Sequence, residues 1–261
     1  LDFLESKMNQ VDHSNDLTWH SLRESVGRHR SSPTADWAIP ETGLERYQKL
    51  YDRLTPKDPL NQVTWILKDQ FPQFIEGKDR KATHQDRAKI IHDKKVEAAK
   101  FIYDNYGIDF LLDFAANLKL PEISTFSSAV SVILSKEEDL FKIWEGLKTD
   151  GILCSMAQHV ADSKRRAEGN KYIFEVFQSL KNNGFPTTSV INLLLKLFAE
   201  GEIWDFIESN GQEYIDEYWK RVNEFYISGT RSDFERAINL MLDYRRNTSA
   251  LKLVYHKVEE F

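Results

Sequence analysis

The chain has 261 residues with 35 basic and 41 acidic side chains, a formal net charge of −6, and 41 % hydrophobic against 29 % charged residues. That length and balance can bury a full core, exclude a disordered chain, and lack the basic excess by which a whole protein neutralises phosphates. The single cysteine, Cys154, excludes an intramolecular disulfide framework and a thiolate zinc site, so a reducing compartment is expected.

No apolar run reaches the roughly 18 residues that span a bilayer. The most apolar stretch, SVINLLLKLFA, is interrupted by Asn192 and Lys196. No charged segment followed by an apolar one opens the sequence, and the expectation is a cytoplasmic protein with no membrane partner. The first residue is Leu1 and not methionine, so a processed product or a fragment of something longer is expected.

Glycine and proline, 11 and 7 in number, sit between periodic segments, the punctuation of helices joined by short turns. Residues 1–16 are polar and unpatterned and read as a frayed end. LTWHSLRESVGRHR predicts an amphipathic helix with Leu17, Leu22 and Val26 toward one side, and SSPTADWAIPETG reads as a linker. Helices follow in LERYQKLYDRL, in NQVTWILKDQF and in THQDRAKIIHDKKVEAAKFIYDNY, the last about 24 residues and roughly 36 Å long. Thr83 with Asp86 makes a capping-box pattern at its start, and Gly107 ends it.

Further helices are predicted in IDFLLDFAANL, in EISTFSSAVSVIL behind Pro121, and in KEEDLFKIWEGL, opened by Ser135 and Glu138. GILCSMAQHVADSKRRAEG, KYIFEVFQSLKNNG and TTSVINLLLKLFAEG, the last behind Pro186, continue the series. IWDFIES, QEYIDEYWKRVNEFY, DFERAINLMLDYRR, opened by Ser232 and Glu235, and SALKLVYHKVEE complete it. Asn210-Gly211 is flanked by helical periods and gives no hairpin signal.

The expected fold class is therefore all-α. Antiparallel helix pairs stacked as an irregular α-solenoid are favoured over a compact multi-helix bundle, because many short helices bury their apolar faces more easily in pairs than around one centre. Residues 1–40 read as an N-terminal helix and linker, and 41–261 as an α-helical repeat-like domain. Units led by Gly107, Gly151, Gly184 and Gly211 are unevenly spaced, so any repeat is degenerate.

Within EYIDEYWKRV, residues 213–222, Ile215, Trp219, Val222 and Tyr226 recur at helical spacing as a core stripe, with Tyr214, Tyr218 and Phe225 beside it. Asp216 with Lys220 and Glu217 with Arg221 are acid-before-base pairs on the opposite face. Packing accounts for the stretch. On an exposed concave surface, Tyr214, Tyr218, Trp219 and Arg221 would instead be the partner-binding set, since such residues anchor interfaces.

Residues 78–95 form the densest basic region, where Lys78, Arg80, Lys81, Arg87, Lys94 and Lys95 are candidate phosphate contacts. Asp79, Asp86 and Asp93 dilute the field, and a solvated helix face is the simpler expectation. His84 and His92 are separated by about 12 Å of helical rise, and no carboxylate closes a ligand set, so no metal is assigned. A nuclease-like site would have to form around His84, Asp86 and Asp93. Gly-rich phosphate loops, G-x-S-x-G and H-E-x-x-H are absent, and Cys154 and His159 point apart on one helix, so no catalytic residue and no cofactor is assigned.

The stretch GQEYIDEYWKRV…SDFERAINLMLDYRRNTSALKLVYH resembles the degenerate helical-repeat regions of some large bacterial multidomain proteins, through Tyr218-Trp219 and Arg246 to Leu253. Those regions are similar to HEAT and TPR arrays and act as sensor or scaffold parts beside a separate catalytic domain. The resemblance covers about a sixth of the chain and implies a recognition part with no catalytic residue to carry over. The expected function is a non-catalytic interaction or scaffold module that binds a protein or another domain of its parent chain. The alternative is a nucleic-acid-binding or nuclease-like effector using the basic helix 78–95.

Overall fold

The computed structural model describes residues 15–77 and 82–256. Among them are thirteen α-helices and two 3-10 turns, with no strand, so the chain is all-α. A lone parallel bridge joins Ala199 to Ile227. The chain divides into two compact units, one ending at Asn105 and one beginning at Tyr106.

In the first unit, α1 (Asn15–Ser31), α2 (Glu41–Arg53) and α3 (Pro59–Lys68) pack around aromatic rings. Trp19, Leu22, Leu50 and Leu54 form one buried cluster, and Val26, Leu44 and Ile75 another. The Trp19 ring stacks on Tyr51 at 5.0 Å between centroids. Leu17, expected on the buried side, is 74 % exposed. It lies two residues, roughly 200° of helical rotation, from the inward Trp19.

The segment after α1, expected as a linker, is tied back to that helix. The Ile39 amide donates to His29 Nδ1 at 3.1 Å, and Arg30 donates to Glu41, Gln48 and the Ile75 carbonyl. The helical run α4 (His84–Ala116) is broken at Gly107, with φ 77° and ψ −177°, where the sequence places its end. Its start is the predicted capping box: the Thr83 amide and hydroxyl donate to Asp86 at 2.9 and 2.7 Å, and the Asp86 amide donates back at 3.1 Å.

The second unit continues with α5 (Leu120–Ile133), α6 (Glu137–Glu145), α7 (Ile152–Glu168) and α8 (Asn170–Asn182). The helices α9 (Thr187–Asn192), α10 (Gly201–Asn210), α11 (Gln212–Arg221), α12 (Arg231–Asp243) and α13 (Asn247–His256) follow. Packing joins chain neighbours and next-but-one neighbours, as in α5 on α7 and α9 on α11. Phe174 of α8 stacks on Phe206 of α10 at 4.0 Å, and Gln178 donates to Asn210 at 2.8 Å. Arg236 of α12 donates to Asp205 and Glu208 of α10 at 2.7 and 2.6 Å.

Gly169 and Gly211 are each the whole connection between two helices, α7 to α8 and α10 to α11. Their φ/ψ of 85°/177° and 117°/162° belong to a region that glycine alone adopts readily. The helix expected through Glu200 stops at Asn192. Leu193, Leu194 and Leu197 are fully buried in tight turns, and the Ala199 backbone pairs with Tyr226 and Ser228. The α11 helix stops at Arg221, and Asn223 then accepts from the Phe225 amide at 2.9 Å to start the 3-10 turn Glu224–Tyr226. The α12 cap is the box Thr230–Asp233, two residues before the expected Ser232 and Glu235. Lys136, not Ser135, precedes α6, with no side-chain cap.

Candidate functional site

The four residues singled out as a partner-binding set do not form a surface. Tyr214, Tyr218 and Trp219 are 4 %, 0 % and 1 % exposed, because α9, α10 and α12 all pack on α11. Trp219 lies 5.4 Å from Trp204 and 5.3 Å from Tyr218 between ring centroids, and burial pushes the Tyr218 phenol up. These rings are core. Arg221 alone stays at the edge, donating to Glu217 at 2.8 Å, to the Thr188 carbonyl at 3.2 Å and to Asn192 Oδ1. The expected Glu217–Arg221 pair thus exists. Asp216 accepts instead from Gln212 and the Tyr244 hydroxyl, which hold its carboxyl below the ordinary range.

Arg221 belongs to a polar ladder that sequence reading missed. Gln158 of α7 donates to the Asn192 carbonyl at 2.9 Å, Asn192 Nδ2 donates to the Leu147 carbonyl at 2.7 Å, and Arg246 donates to the Trp219 carbonyl at 3.0 Å. Gln158 and Asn192 are 5 % and 6 % exposed, so these bonds satisfy groups that burial would otherwise penalise. The partners come from separate elements, and no local pattern announces them.

Beside the ladder lies a cluster on α7 and the turn after α9. Lys196, half-buried, donates from Nζ to Ser155 Oγ at 3.0 Å. Burial lowers its ammonium pKa, with Cys154 pulling the other way. His159, one helical turn beyond Ser155, is lowered first by burial and then by the charge of Lys196, while Asp162 opposes and Arg166 adds to the shift. Burial raises the Cys154 thiol, against Lys196 and Arg221. That is the inert, buried cysteine the sequence suggests. Sequence reading saw Lys196 only as a break in an apolar run.

In the basic segment, Lys78, Arg80 and Lys81 lie outside the described residues. Arg87 is half-buried, and the Lys94 ammonium sits 5.2 Å from the Phe74 ring centroid. Lys95 points inward: it is 1 % exposed and donates to the Asp69 carbonyl at 2.7 Å, so it is no phosphate contact. Asp86 serves the helix cap, where the Thr83 donors hold its carboxyl low, and Asp93 pairs with Lys89. His84, Asp86 and Asp93 therefore form no shared centre. Among the described residues no group of His, Cys, Asp and Glu is placed to hold a metal ion.

Two further surfaces stand out. A cleft of about 280 Å³ in the first unit is lined by Arg23, Tyr51, Trp65, Phe74, Lys94 and Phe101, among others. The Arg23 guanidinium lies 3.5 Å from the Trp65 ring centroid and donates to Glu24 and His20. In the second unit, Leu251, Val254 and Tyr255 of α13 are 70 %, 38 % and 78 % exposed and recur at i, i+3, i+4.

No helix among the described residues is long and apolar enough to cross a membrane. No protein-family model, no curated protein and no solved structure matches the chain.

Proposed function

We propose that the chain is a non-catalytic interaction or scaffold module, part of a larger protein, whose second unit is an irregular α-solenoid of antiparallel helix pairs. One observation carries this reading. Several cross-helix hydrogen bonds from α8 to α13 fall near one sequence offset: 32 residues for Gln178–Asn210, 31 for Asp205–Arg236, 29 for Asn192–Arg221, 28 for Asp216–Tyr244 and 27 for Trp219–Arg246, while Asn192–Leu147 and Lys196–Ser155 span 45 and 41. A stacked array repeats one offset because each pair meets only its neighbours, whereas a closed bundle joins helices of widely different separation. The spread of these offsets, from 27 to 45, accounts for the absence of a clean period in the sequence.

In this reading the partner is a protein, or another domain of the parent chain, gripped by exposed aromatic and aliphatic side chains rather than by the buried Tyr218 and Trp219. The nucleic-acid alternative is weakened by the inward turn of Lys95. Quantitative affinity capture from the native source tests the proposal, with the intact chain run beside a folded Leu251→Ser, Tyr255→Ser variant. A stoichiometric protein partner that the variant loses is the expected result. Failure of the intact chain to retain any stoichiometric protein contradicts the reading.

A further inference from the structure

Among the described residues, no carboxylate is in ion-pair contact with Lys196. Its ammonium is partly withdrawn from water, yet among the described residues its hydrogen-bond partner is the neutral Ser155 hydroxyl. The surrounding charges are already matched: Arg221 pairs with Glu217 at 2.8 Å, and Arg166 pairs with Asp162. Asp150 acts on the neighbouring Cys154, but neither it nor Asp162 is in ion-pair contact with Lys196. A partly desolvated ammonium with one neutral partner keeps N–H donors that no protein acceptor takes, and an incoming negative oxygen can accept from them.

The neighbouring side chains suit the same ligand. Ser155 and His159 lie four apart on α7 and so share the face toward Lys196, whose charge reaches His159. A hydroxyl, an imidazole and an ammonium together supply donors for more than one oxygen of a single group.

We infer that Lys196, with Ser155 and His159 beside it, forms a binding site for an oxyanion, the carboxylate or phosphate group of a ligand. The site stands on these contacts alone and does not require the solenoid reading. Its occupant completes the ion pair that folding leaves open.

The test uses the full chain in a chloride buffer, with inorganic phosphate and acetate added in separate titrations. The His159 imidazole resonance is followed by NMR. A saturable shift with an upward move in the His159 titration is expected for at least one anion, and the tighter of the two identifies the ligand group. Lys196→Gln should weaken that binding by about tenfold or more, as the loss of a charge-assisted contact does, while Lys196→Arg largely restores it. Ser155→Ala keeps the charge, should weaken binding severalfold, and serves if Lys196→Gln does not fold. Absence of saturation by either anion, or unchanged affinity in both Lys196→Gln and Ser155→Ala, overturns the proposal.

Discussion

His159 shows how one side chain reports its surroundings. Packing of α7 takes the imidazole partly out of water, Lys196 and Arg166 add like charge, and Asp162 opposes, so its pKa in the fold lies below the ordinary 6.5. Above that value the imidazole is neutral in both folded and unfolded chains, and the contribution is complete. As pH falls through 6.5 the unfolded chain takes up the proton first, so stability drops and goes on dropping until the folded pKa is passed. The melting temperature of the native chain should therefore fall relative to that of His159→Gln as pH drops below neutrality, in buffers free of phosphate. A constant difference across that range would show that His159 is not held neutral. Trp219, Tyr214 and Tyr218 were legible at this scale because their burial follows helical period, whereas Phe225, expected in the same band, is 63 % exposed because α11 has already ended at Arg221. Asn192 and Lys196 were not, since their partners Leu147 and Ser155 lie 45 and 41 residues away.

At the scale of elements, the connections carry the information. Gly211 is the entire joint between α10 and α11, and a methyl added there meets nothing within 4 Å, so the cost of Gly211→Ala is one of backbone conformation. That substitution should lower stability by about 1–3 kcal/mol, read from chemical denaturation with an unchanged denaturant slope. No measurable loss would mean that the joint relaxes to an ordinary geometry. The sequence marked these glycines as helix ends but did not show that a single residue spans the gap. Helix ends inside apolar runs were harder still: the residues after Asn192 keep a helical pattern, yet buried tight turns and the pairing of Ala199 with Tyr226 replace the helix. The α12 cap was misplaced by two residues because Ser232 with Glu235 and Thr230 with Asp233 carry the same pattern. Thr230 has its amide and hydroxyl both bonded to Asp233 at 2.7 Å.

For the whole chain, the all-α class followed from periodicity and from sparse glycine and proline. The division at 105/106 did not, because the Pro- and Ser-containing segment after α1 looks like a linker in composition but is fastened by His29 and Arg30. From α8 to α13, an offset of about 30 residues recurs in bonds rather than in identities, since each bonded pair uses different residue types. That recurrence predicts a stability made of neighbour-to-neighbour terms, in which damage stays local. Native-state hydrogen exchange on Phe234→Ala, which empties a buried site on α12, tests this most directly. The account predicts faster exchange in α10 to α13, with α5 to α7 protected as in the native chain. Equal loss of protection from α5 to α13 would show one closed core and contradict the stacked array.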